Sequence, residues 1–321
     1  MKNKRAWPQQ DIFIRDTSSP NGPIKRIKAG VALDSAAIDH YMRHGWVAVP
    51  GFFSAAQIAD IQRFTEETLA LPEISGAQMV YRETSLLDPN ARVIQRIEDL
   101  CPHHQGFDRL IRGGRLQRCV EQLLGEPAVL FKEKINFKMP GGAGFQAHQD
   151  QQAGWSAYAP LFVTALVSID PTTIENGCLE VATGPRQTGL IGSEWTPLTP
   201  EEMRPFDFEP VPTQPGDVLF FDSYVPHASK PNLSGEQRRI LYLTYNRSSD
   251  GDHRARYYAD KRASFPPDID RRPGVEYRFR VCGGAWTPPL RMMSRSTRPM
   301  RMPSHGSSCD RCFIRGCGRT T

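Results

Sequence analysis

Gln146-Ala147-His148-Gln149-Asp150 places an imidazole and a carboxylate two residues apart. In an extended strand such residues project to the same side, so His148 and Asp150 are expected to share a face. A second imidazole, His227, follows much later. Two ring nitrogens and one carboxylate on one face of a metal, with other positions open, form the ligand set of a non-haem Fe(II) oxygenase. A lone His-x-Asp is weak evidence. The surrounding pattern has to bring His227 to the pair.

Around this stretch the chain reads with period two. Val129 to Lys138 is expected to be a strand, with Lys132, Lys134, Asn136 and Lys138 on one face. Phe131, Ile135 and Phe137 fall on the other, beside Glu133. A row of lysines is ordinarily a solvated face; next to His148 it could instead face an anion. Pro140-Gly141-Gly142-Ala143-Gly144 is a flexible turn into the His148 motif. Pro160 to Asp170 reads as an apolar strand, Asn176-Gly177 as a turn, and Cys178 to Val181 as a short strand. Residues 185–210 form a long polar excursion of the kind that often acts as a lid. Pro215-Gly216-Asp217 turns into the buried strand Val218 to Asp222, just ahead of His227, and Arg239 to Tyr245 is a last strand.

Helices precede the strands. Ser35 to His44 is stopped by Gly45, and Trp46 to Pro50 follows as a strand. Ser54 and Gln57 form a capping-box pattern ahead of a stripe at Ile58, Ile61, Phe64 and Leu69. Glu73 to Leu100 has no clear period, and the adjacent His103 and His104 read as surface histidines. Residues 106–124 are helical, interrupted at Gly113-Gly114. Short strands preceded by helices point to a mainly β protein, a sandwich or jelly roll with an α-helical flank.

The net charge of +5 does not argue for nucleic acid. The 40 residues from Cys282 onward hold seven Arg and one acidic residue and carry +6, leaving the rest at −1. No apolar run approaches a membrane span, and the N-terminus has no secretion signal. Cys101, Cys119 and Cys178 are too scattered for a disulfide framework, which favours a reducing cytoplasm. Residues 1–30 read as a polar leader, 31–281 as the main domain, and 282–321 as an Arg- and Cys-rich tail whose composition favours disorder. His305, Cys309, Cys312 and Cys317 could form a zinc knuckle, though almost no core surrounds them.

The order His148-x-Asp150, Pro215-Gly216-Asp217-x-Leu219, His227-x-Ser229 and Arg238 resembles the phytanoyl-CoA dioxygenase family. So do Gly45-Trp46-Val47-Ala48-Val49-Pro50-Gly51-Phe52-Phe53-Ser54 and Glu175-Asn176-Gly177-Cys178-Leu179-Glu180. The resemblance covers about residues 35–281. It implies a double-stranded β-helix, cupin-like, that uses Fe(II), 2-oxoglutarate and O₂, with ascorbate as the reductant in vitro. By the same resemblance His148, Asp150 and His227 bind iron, and Arg238 pairs with the distal carboxylate of 2-oxoglutarate. A planar, permanently charged guanidinium suits that task. Ser229 adds a hydrogen bond there, with Lys134, Asn136 and Gln149 as further candidates for the cosubstrate pocket. Arg239, on the opposite face of its strand, is the rival to Arg238.

Lys132, Gln152, Trp155 and Tyr158 are candidates for the substrate pocket, with core or rim packing as the alternative for Trp155 and Tyr158. The expected reaction is hydroxylation of a C–H bond of a small, anionic molecule, with release of succinate and CO₂. The stretch Lys134 to Gln149 resembles bacterial members of the family that oxygenate aminoalkylphosphonates, and by that resemblance an aminoalkylphosphonate leads, ahead of a natural-product intermediate or an acyl-CoA. A non-catalytic jelly-roll binding protein is the reading from another class.

Overall fold

A computed structural model describes residues 32–277 and, in backbone only, two short strands ahead of them. Those strands, β1 (Ile12–Arg15) and β2 (Ile24–Ile27), pair antiparallel within the leader. The tail at 282–321, with its four cysteine and histidine candidates, lies outside the described residues. No helix among the described residues is long and apolar enough to cross a membrane.

The N-terminal helices form where their caps predict. Asp34 accepts from the Ala37 amide to open α1 (Ser35–His44), and Gly45 closes it at φ 80°. The strand β3 (Trp46–Val49) follows. Ser54 and Gln57 make the reciprocal capping box of α2 (Ala55–Leu69). The buried stripe of α2 differs from the expected one: it runs Ile58, Ile61, Thr65, Thr68, while Leu69 is exposed. Thr65 and Thr68 bond their hydroxyls to carbonyls one turn back, at Ile61 and Phe64, so two polar residues occupy a buried face.

The weakly patterned segment folds as a hairpin, β4 (Met79–Thr84) and β5 (Arg92–Glu98). Helices α3 (Gln105–Ile111) and α4 (Arg115–Leu124) are separated by Gly113-Gly114 as expected. His104 is a helix cap, its Nδ1 accepting from the Phe107 amide, rather than a loose surface group. Then come β6 (Ala128–Lys138), β7 (Phe145–His148), β8 (Phe162–Ser168), β9 (Leu179–Thr183), a single turn α5 (Pro200–Met203) and β10 (Asp207–Val211). Strands β11 (Val218–Asp222), β12 (His227–Ser229) and β13 (Arg238–Arg247) and helix α6 (Arg254–Ser264) complete the order.

Besides the β1–β2 pair, two larger antiparallel sheets result. One has seven strands in the order β3-β11-β8-β13-β6-β5-β4; the other has four, β10-β9-β12-β7. Leu166, Leu219, Phe221, Ile240 and Tyr242 from the large sheet pack on Leu179 and Val181 from the small one, which fills one end of the sandwich. The outer face of the large sheet, including Val163, Ala165, Val167, Leu241 and Leu243, packs on the helices. This is the expected jelly roll with its α-helical flank.

Register decides what faces the interior. Arg238 lies opposite Lys138, Tyr242 opposite Lys134 and Thr244 opposite Lys132, so these side chains share the inner face. The lysine row is therefore inside: Lys132 and Lys138 are buried, and the solvated reading fails. A β-bulge between Thr244 and Tyr245 shifts the pairing there. Leu130 then takes the helix side and Phe131 joins Trp155, Tyr158 and Tyr257, contrary to the alternation drawn from sequence.

Candidate metal centre and its chamber

His148 and His227 are directly opposite on β7 and β12, with ring centroids 4.3 Å apart. Strand β7 ends at His148. Asp150 instead opens a 3-10 turn, Asp150–Ala153, so the pair does not lie on one strand as expected. The turn carries the carboxylate back over the histidines. Asp150 Oδ1 stands 3.9 Å from the Nε2 atoms of both His148 and His227. All three ligand atoms lie within 4.8 Å of one another, the single such group with potential to hold a metal among the described residues.

The hydrogen bonds behind the rings suit a metal. His148 Nδ1 donates to the Gln146 carbonyl at 2.7 Å and His227 Nδ1 to the Val225 carbonyl at 2.9 Å. A carbonyl can only accept, so each Nδ1 carries the proton and each Nε2 turns its lone pair inward. Burial and the neighbouring His227 hold His148 down to about 4. Burial alone would raise Asp150, but His227, Lys132, His148 and Lys134 together hold it below the usual carboxylate value. At neutral pH His148 is a neutral imidazole and Asp150 an anion, the protonation states a divalent metal requires of such ligands.

Two cavities meet here, sharing Lys132, Lys134, Phe145 and Asp150 as walls. The smaller, about 40 Å³, also holds His148, His227, Asn136, Ser229 and Tyr242. Arg238 lies beside it, almost fully buried, with Nε and Nη1 lacking any partner and the Tyr242 hydroxyl as its neighbour. A buried guanidinium with unused N–H groups is costly unless an anion completes it. Arg239 is not in that position. Its Nε and Nη2 grip Asp170 at 2.8 and 2.9 Å on the helix side of the sheet, and Nη1 reaches Glu66. Asn136 Oδ1 also lacks a partner.

The larger cavity, about 100 Å³, is walled by Arg96, Lys132, Lys134, Lys261, Glu98 and Trp155, among others. Glu98 is the hub. Lys261 Nζ bonds its two oxygens at 2.6 and 2.5 Å, and Arg96 Nε bonds Oε1 at 2.6 Å. Lys132 Nζ lies 4.3 Å from the Trp155 ring centre. Burial, with Lys132 alongside, pushes Lys134 down to about 7. Four basic side chains thus face two carboxylates, one of which belongs to the metal set.

Three expected pocket residues do other work. Gln149 is fully buried and tied to the 185–198 segment: its Nε2 donates to the Gly189 and Tyr224 carbonyls, and its Oε1 accepts from the Ile191 amide. Gln152 Nε2 likewise donates to the Ser193 and Thr196 carbonyls. Both amides are held by the backbone, and both residues line a further small cavity with His148 and Phe145. They also tie residues 189–196 to the metal motif, helped by Trp195, which seats its ring where a Cβ on Gly154 would be 1.9 Å away. Tyr158 donates to Asp260 and packs on Phe131, which makes it core. Trp155 does line the larger cavity. Arg96, Glu98, Tyr242, Tyr257 and Lys261 are among the lining residues that sequence reasoning missed. Tyr242 alone carried a usable signal, lying four residues beyond Arg238 on the same strand face.

A jelly roll that aims two histidines and a carboxylate at one point defines a non-haem iron oxygenase. The chain belongs to the phytanoyl-CoA dioxygenase family, whose model matches residues 41–240, and is a 2-oxoglutarate-dependent dioxygenase. It is 40% identical over 235 residues to a 2-aminoethylphosphonate dioxygenase from an uncultured bacterium, covering 73% of this chain and 89% of that one. A methylphosphonate hydroxylase from Gimesia maris is 39% identical over 252 residues, covering 78% and 95%. Among solved structures, iron-bound EctD from S. alaskensis shares the fold with a TM-score of 0.56 at 22% identity, covering 68% of this chain and 78% of that one.

Proposed function

We propose that the chain hydroxylates the carbon next to phosphorus in a small phosphonate, an aminoalkylphosphonate first among them. The observation that carries this is the cation surplus of the larger cavity, where Arg96, Lys132, Lys134 and Lys261 face Glu98 beside Asp150. A phosphonate is a compact anion of up to two charges and three acceptor oxygens, which matches that surplus. The two relatives named for phosphonates support the same substrate class.

In this reading His148, Asp150 and His227 hold Fe(II). Arg238 and Ser229 take the distal carboxylate of 2-oxoglutarate, with Asn136 and Lys134 lining its cavity. When bound, iron and 2-oxoglutarate supply the oxidising power, consuming O₂ and yielding succinate and CO₂. The protein's own part is placement. The lysine wall fixes the anionic head so that the adjacent C–H faces the metal set. The packed aromatic walls, Trp155, Phe145 and Tyr257, limit water around it. Lys132 and Lys134 also lie beside Asp150 and keep it ionised. We further read residues 31–281 as the catalytic domain. The buried thiols of Cys101, Cys119 and Cys178, none in a disulfide, fit a reducing cytoplasm.

The test is succinate release by iron-loaded protein with 2-oxoglutarate and O₂, with phosphorus NMR of the product. The substrate panel comprises 2-aminoethylphosphonate, methylphosphonate, proline and an acyl-CoA. Stimulation by a phosphonate, with a new hydroxymethylene-type phosphorus signal, is the expected result. Stimulation by proline or the thioester alone would overturn the substrate class.

A further inference from the structure

We propose that Lys138 is a positioning residue for the cosubstrate carboxylate and acts through Ser229; this rests on the reading that Arg238 and Ser229 bind 2-oxoglutarate. Lys138 is 3% exposed and directly opposite Arg238 in the β6–β13 register. Two buried cations side by side repel each other, and burial with Arg238 nearby pushes Lys138 down to about 6. Such an arrangement needs compensation.

Lys138 finds it in three acceptors. Its Nζ donates to Ser229 Oγ at 2.7 Å, to the Lys230 carbonyl at 2.5 Å and to the Gly177 carbonyl at 3.2 Å. Three acceptors match the three N–H groups of an ammonium and favour that form against the downward shift, so none is left for a ligand. The cradle is built for this. At Gly177, φ is +73°, and a Cβ would stand 2.2 Å from the Lys230 carbonyl oxygen and 3.2 Å from Lys138 Nζ. Only glycine lets this turn close over the lysine.

The consequence falls on Ser229, which lines the smaller cavity. Its oxygen already accepts from Lys138, so its own proton is free to be donated elsewhere. The ammonium polarises that hydroxyl and makes it a better donor. Lys138 thereby converts a rotatable hydroxyl into an oriented one beside Arg238, without touching the carboxylate itself.

The experiment is calorimetric titration of 2-oxoglutarate into the Fe(II)-loaded full-length protein under nitrogen, for Lys138→Met, Ser229→Ala and the double variant. A hydrogen bond to a charged group sets the scale, and each single variant should weaken binding about tenfold. The double variant should lose no more than the weaker-binding single, because the two residues act in series. Lys138→Gln, which can still donate to Ser229, should recover most of the loss and serves if the methionine variant fails to fold. Affinity within twofold of wild type in Lys138→Met, or losses that multiply in the double variant, would overturn the proposal. If Arg238→Ala and Ser229→Ala both leave affinity unchanged, the cosubstrate reading itself fails, which is a separate outcome.

Discussion

Arg238 and Arg239 are chain neighbours on β13 with opposite surroundings, and replacing each with methionine should give opposite results. Arg238 is 1% exposed and has two nitrogens, Nε and Nη1, without partners. Each buried unsatisfied group costs about 1–3 kcal/mol, so Arg238→Met should stabilise the ligand-free protein by about 2 kcal/mol. The same change removes the proposed partner of the 2-oxoglutarate carboxylate. Truncating one side of a buried charge pair costs about 2–5 kcal/mol. The freed carboxylate returns to water rather than staying buried, so the lower end applies, roughly a thirtyfold weakening or more. Arg239 is the reverse case. Its fork holds Asp170, which is itself buried. Arg239→Met strands that carboxylate and should destabilise the fold by about 3–5 kcal/mol, while folded protein keeps its 2-oxoglutarate affinity. Urea unfolding of ligand-free protein and anaerobic titration of 2-oxoglutarate give both quantities. The reasoning is refuted if Arg238→Met binds within threefold of wild type, or if Arg239→Met loses as much affinity as Arg238→Met.

Glu98→Gln removes the hub of the cation cluster and should cost about 3–5 kcal/mol in urea unfolding. Millimolar inorganic phosphate should restore part of the loss, since an anion that binds only the folded state stabilises it. His40 and His148 are both held down to about 4, by burial first and then by His44 and His227 respectively. An unfolded histidine titrates near 6.5, so between about pH 4 and 6.5 the unfolded state binds more protons. The thermal midpoint of the metal-free protein should therefore rise with pH across that window and level off above it. Gln149→Leu removes three hydrogen bonds to the 185–198 segment and the turn at Tyr224. Limited proteolysis within 185–198 should become several-fold faster, and an unchanged rate would show that Gln152 and Trp195 suffice to pin the segment.

The strands that read with period two were legible, and so were the two histidines, because β7 ends at His148 and β12 begins at His227. The position of Asp150 was not. Its 3-10 turn depends on Gln149 and Gln152, whose partners lie some 40 residues away. The hairpin β4–β5 was hidden for a different reason. Its inner face carries Arg96 and Glu98, and a polar interior has the same hydropathy as a solvated surface. The lysine row of β6 is ambiguous on the same ground. Only the register with β13 tells which side it faces. Gln149, Gln152 and Tyr158 are side chains whose hydrogen bonds are set by tertiary structure, on which local sequence is silent.

The most direct test is iron stoichiometry measured together with 2-oxoglutarate turnover in wild-type protein and in His148→Ala, Asp150→Ala and His227→Ala. The wild type should hold one iron per chain and release succinate. Each variant should lose tight iron binding and fall to background while staying folded by circular dichroism. Full iron and full turnover in any one of the three would contradict the assigned metal set.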